Sequence, residues 1–165
     1  MAEDPSQDVP AEASPDKLLA IGAYGESVAA YRYLVLSEQA PTEAHRRLFA
    51  AIADEEQGHK QRLQRLLSER YPGADFVLTA EDKEQVITGP RLLDAHKEVS
   101  FPEAMRILLE TERKVAAFYA RHAGRMTDPG LRTLFRQLAE EGADHYRRLR
   151  ELAREAGVPE AEGEE

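Results

Sequence analysis

The chain has 165 residues, a length typical of one domain, and 42% of them are hydrophobic, enough for a buried core. It contains no cysteine, which excludes disulfides, thiolate metal sites, iron–sulfur clusters and cysteine nucleophiles within this chain. The net charge of −9 comes mainly from acidic termini, without the clustered Lys and Arg that nucleic-acid binding requires. No apolar run could span a membrane or serve as a secretory signal, so we expect a cytoplasmic protein.

Four segments have the apolar spacing of three and four residues that is typical of amphipathic helices. In chain order, these predicted helices cover residues 15–38, 43–70, 101–125 and 130–156. Short turns join the first two helices and the last two, whereas residues 71–100 form a long crossover. Within the crossover we predict a short helix beginning near Thr79, and residues 76–78 are the one candidate for a short strand.

Two tight helical hairpins joined by one long crossover describe an all-α, ferritin-like four-helix bundle. The predicted domain organisation is a single bundle at residues 15–156. Acidic tails that we expect to be disordered flank it at residues 1–14 and 157–165.

The two hairpins form an internal repeat that aligns without a gap at an offset of 86 positions, the separation of Glu26 from Glu112. The matched pairs include Tyr33 with Tyr119, Glu55 with Glu141, and His59 with His145. Matched His and Tyr residues in one register are hard to obtain by chance. We therefore predict two copies of one hairpin related by an approximate two-fold axis.

Each predicted helix places polar groups on its otherwise apolar face. These residues are Glu26, Glu56, His59, Glu112 and His145. Helix rise places the glutamates roughly 20 Å from their own turns, so a two-fold arrangement would bring them together at mid-bundle. Because an unpaired buried carboxylate is costly, the convergence is best explained by a bound cation. Imidazole and carboxylate ligands suit iron, manganese or zinc.

Tyr33 and Tyr119 lie two turns beyond Glu26 and Glu112 on the same faces. Core packing and a hydrogen bond to a metal ligand explain them about equally well. The remaining histidines are predicted not to be ligands: His45, His96 and His122.

The sequence resembles the rubrerythrin-like branch of the ferritin-like di-iron superfamily. The resemblance covers about residues 15–155 and rests on one motif in each helix. The motifs are Gly25-Glu26-Ser27, Glu55-Glu56 with His59, Glu112 with Phe118-Tyr119, and Leu134-Phe135 through Glu140-Glu141 to His145. Such proteins bind two irons and reduce peroxide or dioxygen, or oxidise ferrous iron. The resemblance implies that chemistry here.

Three features depart from the pattern of rubrerythrins. The absence of cysteine removes their rubredoxin-type iron centre, so an electron donor must be external. Val115 stands where they carry an extra glutamate. Gly142 stands where both the family pattern and the repeat (which pairs it with Glu56) require glutamate. The neighbouring Glu141 should point about 100° away and reach the site only through a distorted helix.

The sequence therefore favours a di-iron oxidoreductase that acts on peroxide, dioxygen or ferrous iron with an external electron donor. Three carboxylates and two histidines would leave room for water, hydroxide or an exogenous anion. The alternatives are an iron-handling protein, a site that binds one metal near Glu26, Glu56 and His59, or a structural bundle with a degenerate site. No nucleic-acid or membrane partner is expected, and the symmetry preference of such bundles favours a homodimer.

Overall fold

A computed structural model describes residues 13–89 and 100–158. In these two ranges the chain forms four long helices and one short one, and no strand. The helices are α1 at Pro15–Gln39, α2 at Glu43–Arg70, α3 at Ala80–Glu84, α4 at Phe101–Ala123 and α5 at Pro129–Glu155. The bundle of two hairpins joined by a long crossover is confirmed. The candidate strand at residues 76–78 was wrong, because these residues are irregular.

Side-chain caps position several helix ends at the turns. The Thr42 side chain accepts a hydrogen bond from the His45 amide at 3.1 Å. The Asp128 carboxylate accepts from the amides of Gly130 at 2.8 Å and Leu131 at 3.2 Å. Each cap satisfies amides that have no partner inside their own helix. Both tight turns thus begin their second helix at a defined residue, which sets the register of the residues facing the core.

The crossover packs along α1 and α4. Its short helix begins with a reciprocal cap between Thr79 and Asp82, and Asp82 also pairs with Lys17 of α1 at 3.2 Å. The fully buried Arg32 donates to the carbonyl oxygen of Thr88 at 2.7 Å and to the hydroxyl of Thr111 at 3.2 Å. These contacts fasten the crossover to both hairpins.

The hydrophobic core consists of two clusters with a polar layer between them along every long helix. One cluster contains Leu19, Leu63, Phe118 and Phe135 among others, and the second contains residues such as Tyr33, Phe49, Met105 and Leu149. The predicted ligand on each helix lies between residues of the first cluster and residues of the second. The apolar clusters therefore enclose the middle of the bundle.

At the end of α5, Gly157 adopts a φ of +72° and the amide of Val158 donates to the carbonyl of Ala153 at 2.8 Å. This geometry closes the helix with buried Val158 packed against the second cluster. The other residues of both predicted acidic tails lie outside the described ranges, apart from Ala13 and Ser14, so their disorder stays a prediction. None of the described helices has the length and apolar character needed to cross a membrane.

Candidate metal centre

The structure brings all five predicted ligands together in the polar layer. Glu26 comes from α1, Glu56 and His59 from α2, Glu112 from α4 and His145 from α5, and every one of them is buried. They form two triads, and within each triad the donor atoms lie within 4.8 Å of one another. Glu56 belongs to both triads, the first with Glu26 and His59, the second with Glu112 and His145.

Both imidazoles direct Nδ1 towards the carboxylates. Nδ1 of His145 lies 2.7 Å from Oε1 of Glu56 and 3.8 Å from Oε1 of Glu112. Nδ1 of His59 lies 3.6 Å from Oε2 of Glu26 and 4.0 Å from Oε1 of Glu56. The two rings are nearly parallel, with centroids 6.1 Å apart. Two imidazole nitrogens and three carboxylates therefore lie close together in the buried polar layer.

Burial raises the pKa of two of these carboxyl groups. It raises the pKa of Glu112 to about 8, aided by the charge of Glu26 and opposed by a hydrogen bond from Tyr33. Burial, followed by the charge of Glu26, raises the pKa of Glu56 well above its ordinary value. Burial alone would raise the pKa of Glu26 as well, but its interactions with Glu56 and His59 outweigh that effect and lower the pKa. Without a cation, the three groups cannot all ionise at low cost.

The donor set fits a pair of metal ions. Oε2 of Glu26 is buried without a hydrogen-bond partner, and Nδ1 of His145 has none of suitable geometry despite the nearby Glu56 oxygen. Buried polar atoms without a hydrogen-bond partner are rare in native proteins, and a bound ion is one explanation for them. Glutamate from two helices and a Glu/His pair from others is the arrangement that helical bundles use for carboxylate-bridged di-iron or di-manganese centres.

Tyr33 and Tyr119 each donate a hydrogen bond to a glutamate of the other hairpin. The Tyr33 hydroxyl lies 2.5 Å from Oε1 of Glu112, and the Tyr119 hydroxyl lies 2.8 Å from Oε1 of Glu26. Gly22 makes room for this second contact, because a Cβ there would lie 3.1 Å from the Tyr119 hydroxyl. These hydrogen bonds hold the two carboxylates in place.

Two further glutamates, Glu55 and Glu141, were missed as site residues. Nε2 of His145 contacts Oε2 of Glu55 at 2.5 Å, and the Arg148 guanidinium approaches the same oxygen at 3.2 Å. Nε2 of His59 contacts Oε2 of Glu141. A carboxylate on the outer nitrogen of a histidine fixes the tautomer and orientation that present the inner nitrogen to a metal.

Glu141 lies outside both triads, as expected for a residue of a regular helix that points away from the ligands. Its contact with the outer nitrogen of His59 was not predicted. The available signal was the repeat itself, because Glu55 and Glu141 are matched positions and each contacts the histidine of the opposite hairpin.

Gly142 lies in the polar layer beside Glu112. A Cβ built there would lie 3.8 Å from Oε2 of Glu112 and 3.4 Å from Cβ of Ala116. The residue is buried within a continuous helix, where glycine costs about 1 kcal/mol relative to alanine. The position that the repeat assigns to a second bridging glutamate is therefore without a side chain.

Two other histidines, His45 and His122, lie apart from the centre. His122 is buried and packs against the Phe118 ring with centroids 4.8 Å apart, and His45 belongs to the first turn of α2. His96 lies outside the described residues. Among residues 13–89 and 100–158, the two triads sharing Glu56 are the groups of His and acidic residues close enough to hold a metal ion.

Comparison with known proteins agrees with this architecture. The model of the rubrerythrin family matches residues 17–153. A hypothetical protein from Pyrococcus furiosus superimposes with a TM-score of 0.67 at 24% identity, covering 83% of this chain and 86% of the other. KatB, a manganese catalase from Anabaena, superimposes with a TM-score of 0.66 at 18% identity, covering 100% and 86%. At these identities the likeness shows the fold.

No curated protein sequence matches the chain. Because the family model covers most of its length, the chain belongs to the rubrerythrin family, within the ferritin-like di-iron superfamily.

Proposed function

We propose that the chain is a dimetal oxidoreductase that reduces peroxide or dioxygen, or oxidises ferrous iron. Its two ions, iron in the first instance and manganese as the redox-active alternative, would be held by Glu26, Glu56, His59, Glu112 and His145. Zinc could bind the same ligands but would leave the centre without redox chemistry. The observation that carries the proposal is the membership of Glu56 in both triads. A carboxylate common to two adjacent ligand sets is what a bridged metal pair requires.

Bound iron or manganese would supply the change of oxidation state that peroxide or dioxygen chemistry needs. The chain's own contribution is to hold the ligands in place and keep the centre enclosed. Tyr33 donates a hydrogen bond to one carboxylate oxygen of Glu112, and Tyr119 donates one to a carboxylate oxygen of Glu26. Burial raises the pKa of both phenols well above the ordinary value, so they stay protonated near neutral pH and remain hydrogen-bond donors.

Reduction of hydrogen peroxide to two waters consumes two electrons and two protons. The chain has no cysteine and hence no thiolate-bound iron to relay electrons. We therefore propose an external electron donor, either a separate protein or a small molecule. A homodimer without nucleic-acid or membrane partners remains part of the same proposal.

The lack of a relay within the chain also favours a second candidate, disproportionation of hydrogen peroxide to water and dioxygen. In that reaction one peroxide is oxidised and another is reduced, so no external donor is needed. The fold neighbour from Anabaena is a manganese catalase, which supports testing manganese as well as iron.

Metal analysis tests the shared core of both candidates. The purified chain is loaded anaerobically with ferrous iron or with manganese(II), freed of unbound metal and analysed for its elements. We expect about two ions per chain for the wild type and a loss of both from Glu56→Ala, since this side chain serves both triads. Glu69→Ala, which removes an exposed carboxylate from the same helix, is the control and should retain the metal. A wild-type chain that holds no metal under these conditions would support the structural alternative.

Peroxide consumption then separates the reactions. Consumption that requires an added reductant supports the peroxidase reading, whereas release of half a mole of dioxygen per mole of peroxide without reductant supports disproportionation. Oxidation of added ferrous iron by dioxygen, beyond the first two ions, supports a ferroxidase. In every arm Glu56→Ala should be inactive and Glu69→Ala active.

A further inference from the structure

Packing explains two of the buried helical glycines but not Gly142. A Cβ at Gly25 would lie 2.8 Å from Cβ of Val86, and a Cβ at Gly22 would lie 3.1 Å from the Tyr119 hydroxyl, so both positions are crowded. A Cβ at Gly142 would have ordinary contacts, the shortest at 3.4 Å. Close packing therefore does not require glycine at position 142.

The missing side chain would extend towards the metal centre. Oε2 of Glu112 is one of the three atoms nearest to a Cβ built at Gly142, at 3.8 Å. The repeat matches this position with Glu56, whose carboxylate joins the two triads. Glycine thus removes the side chain with which a second carboxylate would approach the ligands of the two triads.

The charge balance of the metal pair and its ligands indicates what kind of ligand would bind beside Gly142. Two divalent ions bring four positive charges, and the carboxylates of Glu26, Glu56 and Glu112 bring three negative ones, while ligating histidines are neutral. One positive charge would remain on the metal pair with its direct ligands, where it favours an anion, because Glu55 and Glu141 lie behind the histidines, at their outer nitrogens. A single additional negative charge would neutralise the two ions and the three carboxylates that ligate them.

We propose that Gly142 provides a seat for a small monoanion, of carboxylate size or smaller, which binds together with the metal pair and takes the place of the missing glutamate. Residue 142 is then a specificity-determining position, because any side chain there reduces the space for this ligand. The inference rests on the proposed function, since the anion needs the bound metals to attract it.

Calorimetric titration of the manganese(II)-loaded protein tests the proposal without turnover. Formate, acetate and azide are titrated into the wild type, Gly142→Ala, Gly142→Glu and Gly58→Ala. Gly58→Ala is the matched control, because it also replaces a helical glycine by alanine but a Cβ there has no atom within 4 Å. The manganese electron paramagnetic resonance spectrum, recorded with and without formate, reports whether the anion reaches the metal pair.

We expect the loaded wild type and Gly58→Ala to bind all three anions and the metal-free protein to bind none of them. Gly142→Glu should weaken all three at least about tenfold, because its own carboxylate fills the seat. Gly142→Ala should keep formate and azide but weaken acetate about tenfold relative to formate, because the added methyl group overlaps with that of acetate.

Two results would overturn the inference alone. One is equal anion affinity in the wild type, Gly142→Ala and Gly142→Glu while all hold two manganese ions. The other is anion binding by the metal-free chain at the same strength. A wild-type chain that fails to retain two ions is recognised before any anion is added, and it would overturn the proposed function together with this inference.

Discussion

The Tyr119 hydroxyl lies 2.8 Å from Oε1 of Glu26, although the two residues belong to different hairpins. Its repeat counterpart, the Tyr33 hydroxyl, lies 2.5 Å from Oε1 of Glu112. Each hairpin thus supplies a glutamate to the centre and a phenol that holds the glutamate of the other hairpin. The geometry of the metal ligands is therefore coupled to the association of the two halves.

Removing either phenol should weaken metal binding. For Tyr33→Phe and Tyr119→Phe we expect a loss of about tenfold or more in metal affinity, because an oriented carboxylate is left without its donor. The metal-free variants should also lose about 1 kcal/mol of unfolding free energy. Competition with a chromophoric chelator and urea unfolding measure the two effects. Tyr146→Phe, at a half-buried phenol of α5, is the control, and an equal loss in this variant would contradict the assignment.

The outer glutamates should act through the histidines that they orient. Glu141→Ala removes the partner of His59 Nε2, and we expect the metal affinity to fall about 10- to 100-fold. Glu141→Gln keeps a carbonyl oxygen that can accept a hydrogen bond from Nε2 of His59, so its loss of metal affinity should be smaller. Glu140→Ala, an exposed carboxylate next in sequence, should bind metal like the wild type. Competition with a chelator measures the metal affinity of the three variants. Equal affinities in all three would show that Glu141 does not position His59.

The apolar faces were sufficient to predict the bundle and the residues that the structure gathers. Glu26, Glu56 and Glu112 are recognisable because a carboxylate on an apolar stripe cannot be left without a partner. Each such residue carries its own signal within one helix. Their convergence could be predicted because each glutamate lies at about the same distance from the turn of its own hairpin.

Glu55 and Glu141 carried no comparable signal. Their side chains are 46% and 45% exposed, and exposed glutamates are common on any charged helix. Helical periodicity describes which face of its own helix a residue occupies, but these contacts depend on the distance between α2 and α5. The crossover was similarly hard to predict, because the contacts of Arg32 with Thr88 and Thr111 depend on its path over the bundle.

The metal-free protein should lose stability as the pH rises. The pKa of Glu112 is raised from its ordinary value of 4.5 to about 8, so between these values the folded chain holds a proton that the unfolded chain has released. The stabilisation from this protonated group is complete below about pH 4.5 and is lost as the pH rises through about 8. Urea unfolding of the metal-free chain at pH 6 and at pH 8.5 should show the decrease.

Glu112→Gln isolates this contribution, because the amide cannot ionise. We expect the variant to lose less unfolding free energy than the wild type between the two pH values. Bound metal should reverse the trend, since a cation stabilises the ionised carboxylate. A metal-free variant with the same pH dependence as the wild type would show that Glu112 is not the group responsible.

Gly25→Ala should loosen the crossover from the bundle. The new Cβ would lie 2.8 Å from Cβ of Val86, a residue that is fully buried where the crossover passes α1, so one of the two backbones must shift. Overpacking of this kind costs about 1 to 3 kcal/mol of unfolding free energy. Gly58→Ala serves as control, because its Cβ meets nothing within 4 Å and the gain in helix propensity should stabilise the chain by up to about 1 kcal/mol. Urea unfolding of both variants measures the difference, and faster amide exchange at residues 80–88 in Gly25→Ala would place the disturbance in the crossover. If Gly25→Ala proves as stable as Gly58→Ala, the close contact with Val86 does not constrain the path of the crossover.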